Sequence, residues 1–219
     1  MKPAAFLFDL DGTLVDTEKV WAMAIVDMVV EAGGRTTLDD ILGMVIGRNW
    51  LDIHAALQER FPMLGGRSPM EDAVVLRSHY EAHAGDPRSM RIEDSISFYR
   101  AVSAIAPCAV VSGSPSRDVA AAIEMCGLTD VTRLILGAGD YARGKPDPSG
   151  YLKAAELLGV SPSGCVVVED STVGVKSGVA AGMKVLALDR SNAVRQDYTG
   201  ATWRVGSLAE IDVGKEFGQ

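Results

Sequence analysis

Basic residues are in deficit in this chain: 21 lysines and arginines stand against 29 aspartates and glutamates, a net charge of −8. An acidic surface of that kind disfavours non-specific association with nucleic acid or anionic membranes, so neither is expected as a partner. It does not exclude a phosphorylated ligand, because a local cation can reverse the field inside a pocket. Cysteine is scarce too. Cys108, Cys126 and Cys165 form no CxxC pair, and any bridging scheme leaves one of them over. Cys108 and Cys165 lie in apolar runs, where a free cysteine behaves as a small hydrophobe. That usage suits a reducing compartment, and the expected location is the cytoplasm. No apolar run is long enough to span a bilayer, and Met1-Lys2-Pro3 is too short to act as a signal peptide. Internal repeats and low-complexity segments are also missing. What remains is 219 residues with 47% hydrophobic content, ample for one core with a smaller companion domain. A monomer is the expected state.

The most informative stretch is Phe8-Asp9-Leu10-Asp11-Gly12-Thr13. It follows Ala4-Ala5-Phe6-Leu7-Phe8, an apolar run that reads as a fully buried strand. Alternate residues of a strand share a face, so Asp9 and Asp11 leave it pointing the same way, and Gly12 lets the chain turn. Carboxylates that close need a counter-charge, and a hard divalent cation suits oxygen ligands.

Four further segments read as strands: Cys108–Val111, Arg133–Leu136, Cys165–Val168 and Val185–Leu188. Helical signals separate them, with Pro115 and Pro148 near helix starts and Gly127, Gly159 and Gly182 near helix ends. Strand and helix alternate at βαβ spacing, which predicts an α/β fold with a doubly wound parallel sheet of Rossmann-like type. The gap between the first strand and Cys108 far exceeds the roughly 30 residues of a βαβ unit. Its excess carries helical patterns. Glu18 to Ala32 is densely apolar and stops at Gly33-Gly34; Asn49 reads as an N-cap before the stripe Trp50, Ile53, Leu57, Phe61; and Ser68-Pro69-Met70-Glu71 has the form of a capping box, its helix ending at Gly85. The expected organisation is a helical domain at residues 17–87 inserted into a catalytic core made of residues 1–16 and 88–219.

Four motifs converge if that sheet forms: Asp9-x-Asp11-Gly12-Thr13, Val111-Ser112-Gly113-Ser114, Gly144-Lys145-Pro146-Asp147-Pro148 and Val168-Glu169-Asp170-Ser171. Open α/β sheets place their chemistry outside the carboxyl ends of strands. Together the motifs supply a nucleophile, a second carboxylate, a hydroxyl with backbone N–H groups, a fixed cation and further metal-binding oxygens. Phosphoryl transfer needs that set.

The four motifs in this order resemble those of the haloacid dehalogenase superfamily, specifically its magnesium-dependent phosphatases and phosphomutases with a helical cap domain after the first strand. The resemblance covers essentially the whole chain. It implies that Asp9 is the nucleophile that takes the phosphoryl group and that Asp11 is the general acid and base. It implies that Mg²⁺ is held by Asp9, the Asp11 backbone carbonyl and Asp170, with Glu169 as a direct or water-mediated ligand. Ser112 and the Gly113 N–H would bind phosphate oxygens, and Lys145 would neutralise charge on the phosphate and on Asp9. Arg48, just before a helix start, is expected to hold a second anionic or polar group of the substrate. The Gly47-Arg48 pair resembles relatives that act on sugar phosphates, so the expected partner is a small phosphorylated metabolite.

Mutases of the β-phosphoglucomutase group carry a cap histidine shortly after the hinge and a lysine soon after the second motif. Here Trp21 stands near the first position and Ser114-Pro115-Ser116 fills the second, which favours hydrolysis. Intact Asp11 and Glu169-Asp170 disfavour the metal-free dehalogenase reading. A phosphoryl-accepting switch without turnover is the alternative from another class, but it would have no need of Asp11 or an inserted cap. Asp16-Thr17-Glu18 reads as the hinge between core and cap. His79 and His83 have the spacing of a zinc pair, but a solvated helix face is the expected account. Trp21, Met23 and Met28 are expected to be cap core.

Overall fold

The computed structural model describes residues 2–45, 50–190 and 195–218. Along the chain, β1 (Ala5–Phe8) is followed by α1 (Glu18–Glu31), α2 (Leu38–Val45), α3 (Trp50–Arg60) and α4 (Pro69–Ala84). Then come α5 (Glu93–Ser103), β2 (Cys108–Pro115), α6 (Ser116–Met125), β3 (Thr132–Ala138), α7 (Ser149–Leu158) and β4 (Cys165–Glu169). The chain finishes with α8 (Thr172–Ala180), β5 (Lys184–Leu188), β6 (Trp203–Val205) and α9 (Val213–Phe217). These elements form two compact units, one of Met1–Asp16 with Arg91–Gln219 and one of Thr17–Met90. No helix among the described residues is long and apolar enough to cross a membrane.

The first unit is a six-stranded sheet in the order β3-β2-β1-β4-β5-β6, parallel throughout. This is the doubly wound α/β architecture that the strand spacing predicts. β1 lies between β2 and β4, with Leu7 opposite both Ala109 and Val167. Burial on both faces explains the unbroken apolar runs. Phe6, Phe8, Val110, Val166 and Leu186 pack on one face, against α5, α6 and α9. Ala5, Leu7, Ala109, Val167 and Val185 pack on the other, against α7 and α8. The three cysteines are buried and unbridged.

The regular elements of the second unit, among the described residues, are all helices. Ile25, Met28 and Val29 of α1 meet Ile41, Leu57 and Leu76 in its core, and Trp21 stacks on Tyr80 with ring centroids 4.2 Å apart. The capping box forms as its sequence requires: Ser68 N–H donates to Glu71 Oε2 at 2.7 Å, and Glu71 N–H donates to Ser68 Oγ at 3.3 Å. His79 and His83 are not merely solvated. His83 Nε2 lies 2.6 Å from Asp27 Oδ2 and His79 Nε2 lies 3.3 Å from Glu31 Oε2, so α4 pairs with carboxylates of α1. The N-cap expected at Asn49 lies outside the described residues.

Phe217 seals one face of the sheet. It is buried, with its ring edge-on to Phe6 at 5.1 Å and to Trp203 at 5.5 Å. Truncation there leaves a cavity that these rings cannot close. Phe217→Ala is therefore expected to lower stability by about 3–5 kcal/mol, read as a shift of the urea midpoint at constant slope. A loss under about 1 kcal/mol would mean that α9 does not close the core.

Candidate active site

The strand order turns at β1, because the chain leaves it toward β2 on one side and β4 lies on the other. The crevice outside the carboxyl ends of such strands is where α/β sheets hold ligands. Strand periodicity then selects the side chains. Asp9 continues β1, its N–H donating to the Val168 carbonyl at 3.0 Å. Residues 5, 7 and 9 share a face, as do 165, 167 and 169, so Asp9 and Glu169 both point to the side covered by α7.

Lys145 joins the two carboxylates. Its ammonium contacts Asp9 Oδ1 and lies 2.6 Å from Glu169 Oε1. The loop that carries it is anchored at Asp147 through both backbone and side chain: Ser177 Oγ donates to the Asp147 carbonyl at 2.8 Å, and Ser149 N–H donates to Asp147 Oδ1 at 2.9 Å. Burial by itself would lower the Lys145 pKa, but Asp9 and Glu169 outweigh it and hold the ammonium well above its usual value. Burial above all, helped by the neighbouring carboxylates of Glu169 and Asp11, raises the Asp9 carboxyl to about 8 against the opposing pull of Lys145.

That imbalance is itself informative. Asp9, Glu169 and Asp170 are all buried and each offers a carboxylate oxygen within 4.8 Å of the others. One ammonium does not neutralise three carboxylates. A hard divalent cation on these oxygens would restore the balance and let Asp9 stay ionised at neutral pH. The donor set fits such an ion.

The turn after β1 is tightly specified. The N–H groups of Thr13, Leu14 and Val15 converge on the Leu10 carbonyl, and Gly12 N–H donates to the Val15 carbonyl at 2.7 Å. Gly12 has φ +81°, and a Cβ there would stand 2.2 Å from Asp170 Oδ2. Only glycine meets both demands. Asp11 Oδ2 accepts from Ser112 Oγ at 3.2 Å and from Ser114 Oγ at 2.9 Å. Ser112 Oγ in turn accepts the Ser114 N–H at 3.0 Å, and its carbonyl accepts Tyr141 O–H at 2.7 Å. Asp170 Oδ1 accepts from Thr13 Oγ1 at 3.2 Å, and the Asp170 carbonyl accepts from Tyr198 O–H at 3.0 Å.

The structure thus brings Asp9, Asp11, Ser112, Lys145, Glu169 and Asp170 to one sheet edge. Gly113 follows Ser112 and is exposed, with open space where a Cβ would stand. Arg48 lies outside the described residues. Sequence reasoning gave no role to Ser114, Tyr141, Tyr151 or Tyr198. Ser114 had a signal, being two residues beyond Ser112; the tyrosines had none, because what matters is the partner each finds across the fold.

Gly174, in the first turn of α8, carries a second close approach. A Cβ there would sit 1.8 Å from the Glu169 carboxylate. Gly174→Ala must displace Glu169 and is expected to cost about 2 kcal/mol or more, while Gly113→Ala stays within about 0.5 kcal/mol of wild type. Thermal unfolding of the two variants checks this, and equal melting temperatures would contradict the tight packing of Glu169.

Residues 3–182 match the family model for haloacid dehalogenase-like hydrolases. Hexitol phosphatase A of Escherichia coli (strain K12) is 31% identical over 204 residues, covering 86% of this chain and 84% of its own. Validoxylamine A 7′-phosphate phosphatase of Streptomyces hygroscopicus subsp. limoneus is 26% identical over 211 residues, covering 90% of this chain and 95% of its own. Among solved structures, a HAD family hydrolase from Deinococcus radiodurans R1, with bound phosphate and sodium, superposes with a TM-score of 0.73 at 28% identity, covering 98% of this chain and 96% of the other. In its motifs, its sheet order and its sequence, the chain belongs to the haloacid dehalogenase-like hydrolases.

Proposed function

We propose that this chain is a Mg²⁺-dependent phosphatase that hydrolyses a small phosphomonoester, a sugar phosphate or a related metabolite, through an aspartyl-phosphate on Asp9. The observation that carries the reading is the arrangement of two carboxylates two residues apart in unlike surroundings. Asp9 is buried against Lys145, whereas Asp11 is half-buried and held by the hydroxyls of Ser112 and Ser114. The first arrangement suits a nucleophile aimed at phosphorus, the second a group that gives and takes a proton.

In the first half-reaction, an Asp9 carboxylate oxygen attacks phosphorus and the ester oxygen leaves with a proton from Asp11. In the second, Asp11 takes a proton from water, whose oxygen attacks phosphorus and releases inorganic phosphate and free Asp9. Lys145 offsets the charge of the phosphoryl oxygens and of Asp9 throughout. Ser112 and the Gly113 N–H are the proposed phosphate donors. Asp9, Asp170 and the Asp11 carbonyl would hold Mg²⁺, with Glu169 as a direct or water-mediated ligand; when bound, the ion withdraws charge from the phosphoryl group.

Two relatives are named as phosphatases of hexitols and of validoxylamine A 7′-phosphate, which supports a small phosphorylated substrate over a macromolecular one. Arg48 is the proposed contact for its second polar group. The pairing of Asp11 with two hydroxyls favours turnover over a phosphoryl-accepting switch, which has no step for a proton shuttle.

Phosphate release over a panel of hexitol phosphates, hexose phosphates and phosphoglycolate tests the reading. Wild type is expected to release phosphate from at least one sugar-type ester, to lose activity in EDTA and to regain it with Mg²⁺. Asp9→Asn should lower kcat/KM on the order of 1,000-fold or more. Turnover of phosphoglycolate alone would overturn the sugar-phosphate preference, and a stable phosphoprotein without release would support the switch.

A further inference from the structure

Tyr151 takes no part in the steps above, yet it bears on Lys145 in two ways, once through Glu169 and once directly. Its hydroxyl donates to Glu169 Oε1 at 2.8 Å, the same oxygen that lies 2.6 Å from the Lys145 ammonium. Its ring faces that ammonium, 5.2 Å from Nζ to the ring centroid. Tyr151 is fully buried in the first turns of α7, three residues after Pro148. A phenylalanine would fill the same space without burying a hydroxyl, so core packing alone gives no reason for the oxygen.

Glu169 explains why the oxygen matters. Its Oε2 accepts from Asp170 N–H at 3.1 Å, Ser171 N–H at 3.3 Å and Ser171 O–H at 3.1 Å. Its Oε1 takes Lys145 and Tyr151. Five donors thus surround this carboxylate. The side chain cannot turn without losing several of them. Tyr151 supplies one of the two donors on the oxygen that Lys145 shares, so it sets how strongly Glu169 draws the ammonium.

We propose that Tyr151 is a positioning residue: acting through Glu169, it keeps the Lys145 ammonium balanced between Glu169 and Asp9 so that Lys145 meets the phosphoryl group in the transition state. This rests on the phosphatase reading above. With the hydroxyl gone, the ammonium is the one donor left on Oε1 among the described residues. Lys145 is then drawn toward Glu169 and away from Asp9. The loss falls on transition-state stabilisation more than on ground-state binding, because the phosphoryl charge that Lys145 answers changes as Asp9 attacks.

The test is Tyr151→Phe in the full chain with Mg²⁺ and p-nitrophenyl phosphate. Tyr99→Phe is the control, since Tyr99 is another buried tyrosine of the same unit whose hydroxyl meets Thr132 Oγ1, at 2.9 Å, and no carboxylate among the described residues. Tyr151→Phe is expected to lower kcat about 10–100-fold with KM within about twofold. Orthovanadate, which mimics the five-coordinate phosphorus, should bind more weakly by a similar factor in calorimetry. Tyr99→Phe should leave kcat and vanadate affinity unchanged. Wild-type values for both readouts in Tyr151→Phe, or an equal fall in Tyr99→Phe, would overturn the proposal. Wild type without turnover on any phosphomonoester overturns the phosphatase reading instead, and the proposal with it.

Discussion

A buried ammonium between two buried carboxylates is the interaction on which this site depends. Side chains of Asp9, Lys145 and Glu169 are 11%, 12% and 0% exposed. Adjacent strands run about 4.8 Å apart, and equal parity aims Asp9 of β1 and Glu169 of β4 at the same side. The sheet therefore forces two like charges together. Without a counter-charge they could not both ionise in so dry a place. Lys145 provides it from a loop far along the chain, and every other group in the site is arranged around that contact.

The constraint also divides labour between the carboxylates of one short motif. Asp9 remains in register with β1 and inherits the buried face. Asp11, beyond the last strand residue, comes under two serine hydroxyls from the end of β2. Sequence neighbours thus acquire different surroundings because the pairing with β4, which still holds the Asp9 N–H, is lost before Asp11. Gly12 makes this possible by turning the chain where a Cβ would collide with Asp170. The proposed acid–base and nucleophilic roles rest on that difference in environment, not on any difference in residue type.

Much of this was legible in the sequence. The apolar runs at β1, β2, β4 and β5 exceed what a half-buried strand needs, and their spacing implies parallel pairing. The capping box at Ser68 and the acidic motifs at strand ends were equally plain, because local chemistry fixes each of them. β6 was not legible: three residues, Trp203–Val205, with the middle one exposed and the others half-buried, are too few to show a period, and they pair with the edge of β5. The partners of His79 and His83 were hidden too, since a helix face read alone gives no sign of the carboxylates on α1. Tyr151 and Tyr198 belong to the same class. Each is an unremarked tyrosine in its segment, and each acquires a role from a polar atom more than ten residues away or across the sheet.

In the proposed mechanism an oxygen of Asp9 bonds to phosphorus. Turnover quenched in acid, followed by borohydride reduction and peptide mass spectrometry, reads that bond directly, because reduction of an aspartyl-phosphate leaves homoserine at the labelled position. Conversion is predicted at Asp9, with Asp11 and Asp170 untouched. Phosphate release with no modified residue, or with the change at Asp11, would contradict the arrangement of roles around Lys145.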